Sequence, residues 1–531
     1  MICRLIGIGS KIYHHNAEIL GLEMLLASLK SKRINGELVY YEYDSNETIS
    51  DFCHKYKWDE VVLVGFSPFY TTFDIVADFM VELKKLNSSL LFCAGGVAVS
   101  HAAKEALEYL KDIDLIIRGE GELTLCELMF RILQKRDWRK CLGITYRENG
   151  QIVTNKSRNP IEDLDQLPWA ERVMLKHYHG SKVRIQTARG CAGHCTFCAE
   201  SRVFDLDAGK TSWRGRTAKN IVDEIENIVA QHAINFFSIV DESYEDPASG
   251  IGFKRIENIS DEILARGLDV YYEVMMRSEN VLKIPISVWD KMKKSGLVGV
   301  LLGIESGSNN ALKTYGKIAT VNENIEAYNF LYEQLGINVI AGFIMFNPYS
   351  TINEYYENVD FVKKMGLEYS FRVFSNKVHL YYGTPLYKRA ERDLLLKKQY
   401  GIIHPMEYKF ASDEIERLSE DIDSIIQLVD KDGMGEYVTD YYHDTYERIV
   451  MHEKTDKSEL TVKLKKEMKD LRKEMGQYVT EIFSYAGKKI DQVAEKRMLY
   501  VMDKYKSNTI QKCNRILREL LKSSGDMSRG K

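Results

Sequence analysis

Cys191, Cys195 and Cys198 stand in the run Ala-Arg-Gly-Cys-Ala-Gly-His-Cys-Thr-Phe-Cys, a C-x3-C-x2-C spacing with Phe197 just before the last cysteine. Soft thiolates suit iron–sulfur clusters, zinc and Cu(I). Three of them on so short a loop can hold three irons of a four-iron cluster. The fourth iron then has no protein ligand nearby. An open iron can bind and reduce a small molecule, whereas a fully ligated cluster only passes electrons. The competing readings are a zinc knuckle and a disulfide with one spare thiol. Zinc usually takes four ligands, and His194 lies inside the loop, where its reach to a fourth position is poor.

The elements that must carry this loop alternate between strand-like and helix-like runs. Between residues 183 and 395 the strand candidates are Val183–Thr187, Asn235–Val240, Val270–Met275, Gly299–Leu302, Ile337–Phe346 and Tyr369–Phe374. Polar residues follow them: Asp241-Glu242-Ser243, Arg277-Ser278, and Gly303-Ile304-Glu305-Ser306-Gly307. Serial parallel units of this kind close into a barrel or partial barrel, with the site at the carboxyl ends of the strands.

Residues 1–150 show the same alternation. Cys3–Ile8, Glu37–Tyr43, Glu60–Phe66, Ser89–Ala94 and Asp114–Ile117 are short, apolar strand candidates; Glu18–Leu29, Phe73–Leu86 and Ala102–Leu110 are helix candidates, the first capped by Asn16. This pattern predicts a doubly wound sheet, whose ligands bind beyond the strands' carboxyl ends. Those ends carry Ser67-Pro68, Gly95-Gly96 and Gly119-Glu120-Gly121-Glu122. Small residues there let a flat, bulky ligand approach the backbone.

The cysteine run resembles the signature of the radical S-adenosylmethionine (SAM) enzymes. In that family the open iron of a [4Fe-4S] cluster chelates SAM, and an electron cleaves SAM to a 5′-deoxyadenosyl radical. The resemblance implies a six-strand partial barrel over 183–395. It implies SAM contacts from Glu242 to the amino group, Arg277 to the carboxylate, and Glu305 to the ribose or amine. Arg214 and Arg216 match a basic pair common after the cluster loop, and Lys317 matches a lysine after Gly-Ile-Glu-Ser. Tyr382–Tyr387 resembles the Gly-Thr-Pro segment that ends these barrels, a structural turn.

The first domain resembles the cobalamin-binding domain that precedes many radical SAM domains. That resemblance implies cobalamin held by Ser67, Gly95, Gly96, Gly119 and Glu120. The Asp-x-His-x-x-Gly motif whose histidine ligates cobalt is absent; the loop holds His14 and His15 instead. These are expected to be solvated or capping residues, leaving cobalt with no histidine below it. Cys3, Cys53 and Cys93 have gaps loosely similar to those of methylthiotransferases, but Cys3 and Cys93 fall inside strand patterns.

Residues 151–182, with Pro160 and Pro168, read as a linker, and residues 396–531 read as helical. Leu460, Leu464, Met468, Leu471, Met475, Tyr478 and Ile482 form a helical stripe. Residues 401–454 hold 14 acidic against 5 basic side chains, and residues 455–531 hold 19 basic against 11 acidic. Two readings follow: helical faces that attract each other, or a basic arm that guides an anionic or peptidic substrate. The expected fold class is therefore α/β: a doubly wound domain, a partial (β/α)6 barrel and a helical C-terminal domain.

No run of about 18 apolar residues exists to span a membrane, and the first residues read as a strand rather than a signal peptide. Nine scattered cysteines do not make a secreted disulfide scaffold. The expectation is a cytoplasmic enzyme that methylates an unactivated carbon of a peptide or other natural product. Cyclisation, rearrangement or oxidation with the same cofactors is the alternative, followed by a non-catalytic cluster or cobalamin sensor. An electron donor such as flavodoxin or ferredoxin is the expected partner, with no membrane and no nucleic acid.

Overall fold

The computed structural model describes residues 1–9, 19–177, 182–199, 213–245, 251–398, 401–455 and 459–523. They form two compact units, Met1–Pro247 with His379–Glu407, and Ala248–Val378 with Tyr408–Lys531. The expectations for His14, His15 and Asn16 lie outside the described residues.

The first unit contains a seven-stranded sheet. Its strands are β1 (Ile2–Gly9), β2 (Gly36–Glu42), β3 (Val61–Phe66), β4 (Leu91–Ala94), β5 (Leu115–Ile117), β6 (Ile144–Glu148) and β7 (Gln151–Thr154), in the order β2-β1-β3-β4-β5-β6-β7. β1 to β5 are parallel, and β6 and β7 add on antiparallel. The parallel strands are continuous Val/Ile/Leu runs because helices cover both faces. One face packs Phe52, Phe73 and Phe79; the other packs Leu22, Leu26, Leu125 and Met129.

Cys53 belongs to the first of these cores, Cys3 and Cys93 to the second. The sheet thus separates Cys53 from the other two thiols that the methylthiotransferase comparison required together with it. Burial also pushes the Cys53 and Cys93 thiols up to about 12.

The β6–β7 hairpin runs across the expected boundary at residue 150. Its turn is Asn149-Gly150, at φ 49° and 78°, with Glu148 paired to Gln151. Two positive φ values in a two-residue turn match the twist of the flanking strands, which is why Asn-Gly serves there. The first domain's sheet therefore extends to Thr154, into the segment read as linker.

Also in the first unit, β8 (Val183–Ile185) pairs in parallel with a strand over Phe236–Ile239. β9 (Ala188–Arg189) pairs antiparallel with β10 (Arg214–Gly215), on either side of the cluster loop. The strand Phe236–Ile239 is β11.

The second unit holds β12 (Tyr271–Arg277), β13 (Leu297–Glu305) and β14 (Asn338–Phe343), parallel and in that order. Val298, Val300, Leu302 and Ile304 are fully buried under helices, while Leu301 on the opposite face is exposed. That second face joins Glu273, Gly299 and Asn338 in one row, Met275, Leu301 and Ile340 in the next, and Arg277, Gly303 and Gly342 in the last.

The sixth strand expected over Tyr369–Phe374 does not form. The chain coils there, with Val373 N–H on the Ser370 carbonyl at 3.1 Å and Asn376 N–H on the Arg372 carbonyl at 3.1 Å. A single parallel bridge, Phe346 to Lys377, takes the sixth place. Tyr369 and Phe371 instead turn toward the C-terminal helices, where the Tyr369 hydroxyl meets His443 Nε2 at 3.0 Å and the Phe371 ring lies 6.0 Å from that of Tyr505. Packing of these large aromatics outweighed their strand propensity.

Helices Asp413–Val429, Met434–Thr455, Glu459–Phe483 and Gln492–Ser523 fill the C-terminal region. Leu464, Met468, Leu471, Met475 and Ile482 of the stripe are buried. The charged segments attract each other: Lys465 pairs with Glu453 at 2.5 Å and Lys506 with Asp432 at 2.5 Å. Lys469 pairs with Glu333 at 2.6 Å. These pairs favour the reading of mutually attracting helical faces over a free substrate-guiding arm. Among the described residues no helix is long and apolar enough to cross a membrane.

Candidate active site

The cluster loop is tied down on every side. Two carboxylates at the end of β11 hold its entry: Asp241 accepts from the Thr187 N–H at 2.6 Å and the Ala188 N–H at 2.9 Å, and Glu242 accepts from the Gly190 N–H at 3.0 Å. Gly190 takes φ 81°, a left-handed turn that aims the chain into Cys191. Within the loop, Gly193 N–H points at Cys191 Sγ at 3.3 Å, and Cys198 N–H bonds the Cys195 carbonyl at 3.3 Å. The exit side is held by Leu386 N–H on the Thr196 carbonyl at 2.9 Å.

Cys191, Cys195 and Cys198 are half-buried and none of them forms a disulfide, which sets the disulfide reading aside. His194 is exposed. Among the described residues no three His, Cys, Asp or Glu side chains gather around one point as a single-ion site requires. A four-iron cluster asks for something different, one thiolate on each of three irons. Three half-buried cysteines on one anchored loop fit that demand. Phe197 is half-buried within the same loop.

A cavity of about 410 Å³ lies beyond the carboxyl ends of β3, β4 and β5. Ser67, Gly95, Gly96, Gly119 and Glu120 all line it, together with Glu242 and Arg189. Gly96 has φ 92°, and a Cβ there would stand 2.8 Å from Ser67 Oγ. Side chains at these positions would fill the floor that the glycines leave open, so the residues fit a flat ligand laid on the strand ends. The lining contains no histidine among the described residues. Burial raises the Glu242 carboxyl, with Asp241 adding to the effect, while N–H bonds from its own backbone and from Gly190 pull it back.

Glu120 is more committed than a free cofactor contact. Its carboxylate takes Arg189 at 3.0 Å and Arg214 at 2.8 Å, and the Ile161 N–H at 2.5 Å. Arg216 is likewise structural, on Glu224 at 2.6 Å and the Gln186 carbonyl at 2.8 Å.

In the second unit, Arg277, Glu305 and Lys317 gather at the carboxyl ends of β12 and β13. Arg277 lies 3.4 Å from Glu279. Lys317 stands 3.6 Å from the Glu305 carboxylate and donates to the Gly303 carbonyl at 3.0 Å. Burial raises the Glu305 carboxyl, Lys317 draws it down, and Glu279 opposes that. A Cβ on Gly303 would come within 2.9 Å of Glu305 Oε1, so the glycine leaves room for this carboxylate.

The sequence reading placed Asp241 and Glu122 at strand ends without giving either a role, and gave Arg189 none. Asp241 immediately precedes Glu242 at a strand end, and Arg189 stands two residues before Cys191. Those positions were available signals, but their partners are distant in sequence.

Residues 185–362 match the profile of the Radical SAM superfamily. An uncharacterized methyltransferase of Pyrococcus horikoshii is 29% identical over 346 residues, covering 63% of this chain and 72% of that one. An anaerobic magnesium-protoporphyrin IX monomethyl ester cyclase of Rubrivivax gelatinosus is 30% identical over 278 residues, 49% of this chain and 47% of that one, so the match spans about half the cyclase. The structure of the cobalamin-dependent SAM radical enzyme OxsB, with aqua-cobalamin and SAM bound, superposes with TM-score 0.70 at 18% identity, over 100% of this chain and 82% of OxsB. The profile over residues 185–362 and a fold shared along the whole chain agree with the anchored three-cysteine loop: the chain carries a radical SAM domain within the fold of the cobalamin-dependent SAM radical enzyme OxsB.

Proposed function

We propose that the enzyme uses a [4Fe-4S] cluster, SAM and cobalamin to methylate an unactivated carbon of a peptide or other natural-product substrate. The observation that carries this reading is the glycine-floored cavity, whose lining includes both the first domain's strand ends and Glu242, the residue that holds the cluster loop. The methyltransferase relative and the OxsB fold support it. Cys191, Cys195 and Cys198 would hold the cluster. Glu242 would accept from the SAM amino group, Arg277 would grip its carboxylate with two hydrogen bonds, and Glu305 would meet its ribose or amine. Ser67, Gly95, Gly96, Gly119 and Glu120 would line the cobalamin site and let the cofactor lie against the backbone. Bound there, these groups supply hydrogen abstraction from carbon and a methyl group to replace it; the protein's own part is to hold them and to exclude water. A cytoplasmic flavodoxin- or ferredoxin-like protein would supply electrons.

The test incubates the anaerobic, reduced enzyme and cobalamin with SAM carrying a deuterated methyl group. Extract from cells lacking this gene supplies the substrate. 5′-Deoxyadenosine, S-adenosylhomocysteine and a product carrying the label should appear in comparable amounts. The cyclase relative favours a second reading, ring closure or oxidation. Deoxyadenosine with no homocysteine product, and a product that has lost hydrogens, would establish that reading in place of methylation.

A further inference from the structure

Arg189 stands between the two halves of the proposed cofactor machinery. It occupies β9, one residue before the left-handed Gly190 and two before Cys191. Its guanidinium reaches three partners at once: Glu120 Oε1 at 3.0 Å, Glu122 Oε1 at 2.5 Å and Gln186 Oε1 at 2.8 Å. The arginine and both glutamates are more than nine-tenths buried. Arg214, paired to Arg189 across β9 and β10, places a second guanidinium on Glu120 at 2.8 Å. Two buried carboxylates face two buried guanidinium groups, so the charge closes.

A buried ion-pair network of this kind adds little net stability, because desolvation offsets attraction; its attested use is to fix geometry. The geometry fixed here is specific. Glu120 stands just before, and Glu122 in the first turn of, the helix Gly121–Leu133 that follows β5, one wall of the cavity. Arg189 sits on the strand that enters the cluster loop. The planar fork of arginine bridges separate carboxylates in a way that lysine, a point charge, does not.

We propose that Arg189 is a positioning residue that locks the Gly119–Glu122 wall to the cluster loop and so sets the distance between the group held on the strand ends and the cluster. This rests on the reading of the cavity as a cobalamin site and of the three cysteines as cluster ligands. Without the lock both groups would still bind, but hydrogen abstraction and methyl delivery would no longer meet at one carbon.

The experiment compares the full-length, anaerobically reconstituted enzyme with Arg189→Lys and Glu122→Gln. The reduced cluster should speed the electron-spin relaxation of cob(II)alamin in the wild type, an effect that falls steeply with distance. Both variants should keep their iron and cobalamin, yet show at least a threefold smaller relaxation enhancement. The exchange Arg189→Glu with Glu122→Arg should recover part of it. Hydrogen exchange of residues 119–125, measured without cofactors, gives a second readout and should quicken about tenfold in both single variants. Loaded variants with unchanged relaxation, or unchanged exchange, would overturn the lock and leave the functional reading standing. A wild type that binds no cobalamin or no cluster would overturn the functional reading and the lock with it.

Discussion

Glu305 takes φ 67°, a left-handed conformation that costs a residue with a side chain on the order of 1 kcal/mol. The fold sustains it: the Glu305 carbonyl accepts the Ile344 N–H at 2.8 Å, and Lys317 stands 3.6 Å from the carboxylate. The bend turns a strand-end carboxylate back over Gly303. His101 shows another use of burial. Both of its ring nitrogens are buried without a hydrogen-bond partner, and burial lowers its pKa from 6.5 to about 4. The unfolded chain therefore binds the proton first as pH falls. Stability from the neutral ring is complete above pH 6.5 and is lost as pH falls toward 4. Between pH 7 and 5 the wild type should lose about 2 kcal/mol more than a His101→Phe variant, measured by denaturant unfolding; equal slopes would mean that the ring reaches water. For the cluster, replacing Cys191, Cys195 and Cys198 together by Ala should remove the iron and the roughly 400 nm thiolate–iron absorption. Full iron in the triple variant would assign it to other cysteines.

The helix Pro385–Arg392 shows how one element serves the site. Thr384 caps it, accepting the Tyr387 N–H at 3.3 Å, and its hydroxyl also donates to the Tyr381 carbonyl at 2.7 Å. Pro385 starts the helix where an N–H has no partner in any case. The next residue, Leu386, keeps its N–H for the Thr196 carbonyl in the cluster loop. The Gly-Thr-Pro segment is thus a helix start that pins the loop, beyond the turn expected of it. Thr384→Ala should cost about 1 kcal/mol in denaturant unfolding and should speed loss of iron in air. Unchanged iron retention would show that the loop is held by Asp241 and Glu242 alone.

Over the whole molecule, the first unit brings a glycine-floored cavity and a cysteine loop onto one compact body, although residues 95 and 191 are far apart in sequence. The two binding functions should nevertheless separate by mutation. Gly96→Val places a branched side chain at φ 92° and into the Ser67 hydroxyl. It should lower cobalamin bound per chain at least tenfold, by absorbance after gel filtration, while iron content stays at the wild-type value. Cobalamin bound equally well by the variant would place it elsewhere.

The local chemistry was legible in the sequence because it is local. The cysteine spacing, the strand–helix alternation and the small residues after β3, β4 and β5 all act within a few residues of themselves. The Asn149-Gly150 hairpin belonged to the same class and could have been read from its turn residues. Tertiary structure decided the rest. Tyr369–Phe374 has the residues of a strand, but aromatic packing against the C-terminal helices made it a coil. Arg214 matched a basic pair after the cluster loop and Glu120 a strand-end cofactor residue, and only folding paired them across 94 residues. Arg189 drew no notice beside the cysteines, because a guanidinium reveals its use only when the carboxylates it bridges, 67 and 69 residues away, are folded onto it. Hydrogen bonds and ion pairs act over about 3 Å of space, and a linear sequence specifies that proximity only through the fold.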